Sequence, residues 1–95
     1  MSDLFDQISA LIDAPVRDRD RIERTLTDGY ARALALEAER WRLEKRLAQV
    51  ANTIAESNAG DQTAELSRIS QRLSGNEGEL VELRGRLGEL REALR

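Results

Sequence analysis

The chain has neither cysteine nor histidine among its 95 residues. Disulfides, thiolate or imidazole metal ligands, and the common nucleophile and base pairs of enzymes are therefore excluded. No apolar run approaches the roughly 20 residues that cross a bilayer, and the first residues lack the basic stretch and cleavage site of a signal peptide. We therefore expect a non-enzymatic protein without cofactor or metal, with no membrane span and a cytoplasmic location.

Charged residues are abundant, at 35%, but neither sign is concentrated, and the net charge is −3. Acids and bases alternate, which is typical of solvated helix faces. Because no basic patch gathers phosphates, we expect no direct binding to nucleic acid. Fourteen arginines against the single Lys45, with abundant alanine, glycine and leucine, indicate the codon usage of a GC-rich, bacterial genome.

Aliphatic residues recur at alternating steps of three and four, the spacing of coiled-coil contact positions. They form two seams. The first seam is Ile22, Leu26, Gly29, Ala33, Leu36, Arg40, Leu43, Leu47, Val50 and Ile54, and the second is Gln62, Leu66, Ile69, Leu73, Asn76, Leu80, Leu83, Leu87, Leu90 and Leu94.

The two seams mirror each other about Asn58. Positions whose numbers add to 116 fall in one layer, so the two polar interruptions, Arg40 and Asn76, face each other. A slip by one heptad would set each of them against an aliphatic residue, and each buried polar group left unpaired would cost about 1 to 3 kcal/mol of stability. We therefore interpret both as register-setting residues. Turn-forming residues at 57–61 complete the prediction of an antiparallel two-helix coiled-coil hairpin, over roughly 16–56 and 61–94.

Charges beside the seams complicate this pairing. Directly opposed flanking residues are alike in charge, as in Glu39 with Glu79. Diagonal neighbours are opposite in charge, namely Glu39 with Arg72, Arg46 with Glu65 and Arg32 with Glu79. Exposed ion pairs contribute only about 0.2 to 1 kcal/mol, so the apolar layers should decide the fold.

Residues 1–14 are predicted to form a separate short amphipathic helix, before a hairpin domain at 15–95. Five apolar residues fall on one face of it: Leu4, Phe5, Ile8, Leu11 and Ile12. The mirrored seams offer this face no partner. Three arrangements would bury it: the helix packs over the open end of the hairpin, completes a dimer core, or docks on another protein. Membrane binding is disfavoured by the negative charges of Asp3, Asp6 and Asp13.

A second apolar stripe widens the first long helix beyond its seam. It consists of Tyr30, Leu34, Trp41, Ala48, Ala51 and Ala55. A wide face favours further helices packed against it, so we expect a homodimeric four-helix bundle, with a different protein partner or a solvated flank as alternatives. Tyr30, Leu34 and Trp41 are the predicted contacts.

A segment around the turn resembles a known family. Ile54-Ala55-Glu56, Gly60-Asp61, Ala64-Glu65, Asn76-Glu77-Gly78, Leu80, Glu82-Leu83 and Leu87 are similar to the coiled-coil domain of the Gre-type transcript cleavage factors. The resemblance covers roughly residues 54–87 and implies an acidic tip that enters the secondary channel of RNA polymerase. The tip here is shorter than the family's, and the first forty residues do not match it.

The all-α fold therefore predicts a structural role as a protein interaction, adaptor or oligomerisation module. A transcription regulator that inserts an acidic tip into RNA polymerase is one alternative, and a small export or assembly chaperone that offers its N-terminal helix is another.

Overall fold

A computed structural model describes residues 3–57 and 60–95 of the chain. This part of the chain contains three helices, α1 (Asp3–Asp13), α2 (Arg19–Ser57) and α3 (Gly60–Glu92), and no strand. The prediction of an all-helical fold is thereby confirmed. The molecule is a rod of 61 × 18 × 16 Å.

The break between α1 and α2 is longer than the sequence predicts. We expected α2 to begin near residue 16, but it begins at Arg19, within a run of alternating basic and acidic residues at 17–21. Asp18 explains the difference, because its Oδ1 accepts a hydrogen bond from the Arg21 N–H at 3.2 Å and its carbonyl accepts one from Ile22 at 3.0 Å. These are the contacts of a helix N-cap, so residues 16 and 17 stay outside the helix.

α1 ends at Asp13, before Pro15, and has no basic residue of its own in its last turn. The Arg17 guanidinium supplies that charge from the connection and donates a hydrogen bond to the Ile12 carbonyl at 3.0 Å. A cation at this end stabilises the last carbonyl groups of the helix.

α2 and α3 pack against each other in opposite directions, with every position of both seams buried or half-buried. Gly29 shows the register directly. A Cβ at Gly29 would overlap Leu87 Cδ2 and would lie 3.2 Å from Leu87 Cγ, so these two residues share one layer. Their numbers add to 116, as the mirrored seams predict.

The flanking charges adopt the diagonal arrangement. Three ion pairs join the helices on one side of the seam: Arg32 to Glu79 at 2.7 Å, Arg46 to Glu65 at 2.6 Å, and Arg72 to Glu39 at 3.6 Å. Staggered side chains thus avoid the like charges directly opposite them. All three pairs are at least partly exposed and add little to stability, so they follow the register that the apolar layers set.

The predicted polar layer contains one buried and one half-buried residue. Asn76 is 4% exposed, and its Nδ2 donates to the Leu36 carbonyl at 2.8 Å and to Glu39 Oε1 at 3.3 Å, while its Oδ1 is buried without a donor among the described residues. Arg40 contacts Glu44 at 3.6 Å and Glu77 at 3.5 Å. Asn76 and Arg40 therefore turn toward opposite flanks of the seam, and their role in setting the register stays a prediction.

α1 folds back over the open end of the α2 and α3 pair. The core there consists of Ile8, Leu11, Ile22, Leu26, Ala33, Leu36, Leu80, Leu83, Leu87 and Leu90, with Leu4, Phe5, Ile12, Ala93 and Leu94 packed around it. Toward the other end of the rod, beyond Asn76, only Val50 and Ile69 of the described seam residues are buried. The core is thus three helices thick at one end and two at the other.

The contact between Gly29 and Leu87 predicts opposite effects for the same substitution at two glycines. Gly29→Ala should lower the free energy of unfolding by up to about 2 kcal/mol, because overpacking against Leu87 outweighs the gain in helix propensity. Gly75→Ala, where an added Cβ has no neighbour within 4 Å, should raise it by about 0.8 to 1 kcal/mol. Urea denaturation measures both, and equal stabilisation by the two variants would contradict the layer.

The polar layer predicts that its removal would raise stability and at the same time make the pairing register less specific. Replacing Arg40 and Asn76 together by leucine should raise the free energy of unfolding by about 1 to 3 kcal/mol, because a buried unpaired acceptor disappears. The same change should permit slipped pairings. A cysteine pair at Ala33 and Leu83, in a chain that otherwise has no cysteine, reports the register by disulfide yield. Undiminished yield in the double leucine variant would exclude a register-setting role.

Candidate interaction surface

The paired helices present two flanks beside the seam. We call the side that contains Thr25 and Ala93 the α1 flank, and the side that contains Tyr30, Leu34, Trp41 and Val81 the open flank. The two flanks carry different residues. In each long helix, the residues that come just before a seam position lie on one side of the seam, and those that come just after one lie on the other side.

α1 covers the first of these flanks. Thr25 is 6% exposed although it lies beside the seam and is polar, and Ala93 packs against the core together with Leu4 and Phe5 of α1. On the open flank at the same level, Glu23 and Arg91 are exposed. α1 therefore lies on one side of the rod only.

The predicted α1 contact residues are thus occupied within the chain. Ile8 and Leu11 are buried, and Leu4, Phe5 and Ile12 pack against the core, which is the first of the arrangements that the sequence left open. Binding of a separate protein through these side chains stays a prediction, and it would require α1 to leave the rod. The division of the chain into domains after residue 14 also stays a prediction.

The open flank concentrates exposed apolar side chains. Of the five large hydrophobic residues exposed in the described part of the chain, all but Val16 lie here: Tyr30 at 42%, Leu34 at 68%, Trp41 at 62% and Val81 at 67% exposure. Ala48, Ala51 and Ala55 continue the stripe and are also exposed. The residues predicted to widen the face of α2 therefore lie together on a side that no other helix of the described chain covers.

A groove of about 390 Å³ opens on this flank between α2 and α3. Its floor is Ala33 and Leu87, and its walls are Tyr30, Leu34, Glu37, Arg84, Gly88 and Arg91. Gly88 leaves one side of the groove empty, since an added Cβ there would have no neighbour within 4 Å.

Two hydrogen bonds fix the walls of the groove. Arg91 Nη1 donates to the Tyr30 hydroxyl at 3.1 Å, and Arg84 Nη2 donates to Glu37 Oε2 at 2.6 Å. Both bonds join α2 to α3, so the polar ends of these side chains lie at the rim while the floor stays aliphatic. Such a groove suits an apolar group with a polar or aromatic edge.

Trp41 lies farther along the same flank toward the turn. The Lys45 ammonium is 5.0 Å from the centre of its ring, in a cation–π contact. An exposed indole with one face already occupied presents its other face and edge outward, and tryptophan is favoured in interface centres.

Some residues of this surface were not predicted. Val81 was missed because it lies off the seam of α3, although its heptad position places it on the same side as Trp41. Gly88 was missed as well, because its place beside the groove follows only from the way that α2 and α3 pack together. Thr25 is buried by α1, whose position the seams do not determine.

Comparison with known proteins gives no family for this chain: no protein-family model matches it, and neither a curated protein nor a solved structure does. The resemblance to the Gre-type coiled coil stays a hypothesis. Its decisive acids, Glu56 and Asp61, lie outside the residues whose side chains the structure describes.

The described helices contain no stretch long and apolar enough to span a bilayer. Within the same residues, no group of three or more acids is arranged to hold a metal ion.

Burial of α1 predicts a large effect from one core truncation. Ile8→Ala should lower the free energy of unfolding by about 2 to 5 kcal/mol, because it leaves a cavity where α1 meets the other helices. Gln7→Ala, at the exposed neighbouring position, should change it by less than about 0.5 kcal/mol. Urea denaturation with circular dichroism measures both. Equal stability of the two variants would indicate that α1 is free to dock elsewhere.

Proposed function

We propose that this protein is a non-enzymatic coiled-coil interaction module that forms a homodimer through the open flank. The observation that carries the proposal is the grouping of Tyr30, Leu34, Trp41 and Val81 on one side of the rod, opposite α1. Exposed apolar patches rimmed by polar residues are typical of protein interaction sites.

The uneven core supports a further layer of helices. Near Val50 and Ile69 the pair of helices has no third helix, and most seam residues there stay half-buried. A two-helix pair exposes a large share of its surface, and association is a usual remedy for so small a core. Two rods packed along the open flank would form a four-helix bundle with α1 on each outer side.

The available area is adequate for such a dimer. A strip one helix diameter wide, about 10 Å, would bury at most roughly 1,200 Å² over two copies, if the copies overlapped along the whole 61 Å rod. This is the lower end of the range for stable interfaces. The contact suits an adaptor or oligomerisation module, and we place that role in the cytoplasm on composition alone.

The proposal predicts that one charge on the open flank separates the two copies. The mass of the wild-type chain in solution, measured by sedimentation or light scattering, should be twice the 10.7 kDa of one chain. Leu34→Glu should shift it to 10.7 kDa with unchanged helix content, because the charge would be buried between the copies.

Ala35→Glu is the matched control. Ala35 is exposed at the neighbouring position on the other side of α2, so this variant should remain a dimer. A wild-type chain that stays at 10.7 kDa up to high micromolar concentration would refute the homodimer and favour a different protein partner for the open flank.

A further inference from the structure

The open flank carries both an exposed aromatic ring and an apolar groove. Trp41 projects from α2, and the groove beside Gly88 lies toward the beginning of the same helix. Val81 lies between them, level with residue 35 of α2 under the 116 pairing, and Leu34 belongs to the adjoining wall of the groove. The ring and the groove are therefore displaced in opposite directions from one point on the flank.

The α3 edge of this flank changes sign near Val81. Arg84 and Arg91 border the groove, level with residues 32 and 25 of α2, and Glu77 lies on the turn side of Val81, level with residue 39. The α2 edge stays acidic: Glu37 lines the groove and is paired with Arg84 at 2.6 Å, Glu23 lies level with Arg91, and Glu44 lies beyond Trp41.

We propose that the second copy packs on this flank in the opposite direction, about a two-fold axis near Leu34 and Val81, and that Trp41 of each copy fills the groove of the other. This inference rests on the homodimer proposed above and specifies its geometry. Rotation about that axis brings the end that carries Trp41 over the end that carries the groove. Each interface is then self-complementary, as two-fold symmetry requires.

One charge pair is complementary in this direction. In the antiparallel arrangement α3 lies over α3 of the second copy, and Arg84 falls near the level of Glu77 of that copy. On α2, which lies over α2 of the second copy, the acids Glu23 and Glu44 fall near one level. The ring and the groove therefore decide the direction, because copies that run in parallel would keep each Trp41 at its own level, away from the groove.

The groove suits an indole. Its floor is aliphatic, its volume is about 390 Å³, and Gly88 leaves the entrance free of a side chain. The guanidinium groups of Arg84 and Arg91 at the rim can lie against the ring face or edge. Any larger residue at position 88 would occupy the space that the ring needs.

Two glycine variants test the groove with a matched control. Gly88→Leu and Gly85→Leu both add a side chain where the structure shows no neighbour within 4 Å of a Cβ, but position 85 faces away from the open flank. Gly88→Leu should raise the dissociation constant of the dimer at least tenfold with unchanged helicity, and Gly85→Leu should leave it unchanged. Equal dimer affinities for the two variants would overturn the insertion of Trp41.

The fluorescence emission of Trp41, the single tryptophan, also reports the insertion of its ring into the groove. It should shift to shorter wavelength as the wild-type chain dimerises, and should stay at longer wavelength in Gly88→Leu at the same concentration. An unchanged emission in a chain whose mass doubles would also overturn the insertion.

Single cysteines test the axis, since only residues near a two-fold axis meet their own copies. Val81→Cys should form a disulfide-linked dimer under mild oxidation, and Ala48→Cys, exposed on the same flank but far from the axis, should not. The reverse result would overturn the antiparallel arrangement while leaving the homodimer intact. A chain that remains monomeric by mass would overturn both proposals.

Discussion

The contact between α2 and α3 is narrow along most of its length, because each helix contributes only residues that recur at steps of three and four. Such a seam holds two helices in register but leaves both of its flanks uncovered. Every other feature of the molecule depends on how those flanks are covered. Ion pairs bridge the helices on both flanks, from Arg32 and Arg46 on one and from Arg84 on the other, but α1 adds an apolar layer only to the first.

α1 therefore makes the rod asymmetric. With Ile8 and Leu11 buried, the end of the rod far from the turn has a three-helix core, whereas the end near the turn, beyond Asn76, has only the two-helix contact of the seams. The opposite flank receives no helix from the described chain, and the apolar side chains there remain in solvent. Because of this asymmetry, the exposed large apolar side chains of α2 and α3 lie on one side of the rod.

The pairing of α2 and α3 could be predicted from sequence, since the period of the seams fixes which residues face each other and the mirrored positions fix the layers. Gly29 against Leu87 and the diagonal pair of Arg32 with Glu79 follow from that rule. The placement of α1 could not be predicted, because an amphipathic stripe specifies that a face is buried and not which surface buries it.

The candidate surface shows the same division. Trp41 and Leu34 follow from the width of the apolar face of α2 alone. The groove could not be derived from either helix, because its walls join Tyr30 to Arg91 and Glu37 to Arg84 across the seam. The N-cap at Asp18 was missed for a different reason: alternating charges at 16–21 offer several residues that could begin a helix, and only the local backbone selects one.

The 61 Å length of the rod has a consequence for what a two-fold particle could do. Two copies in opposite directions would place the ends where α2 meets α3 at the two poles of one particle. Whatever those ends contact would be held apart at a distance set by the number of helical turns. The protein would then act as a spacer of defined length. The insertion or removal of one heptad in both long helices, on the turn side of the two-fold axis, would change that length by about 20 Å, because both copies change.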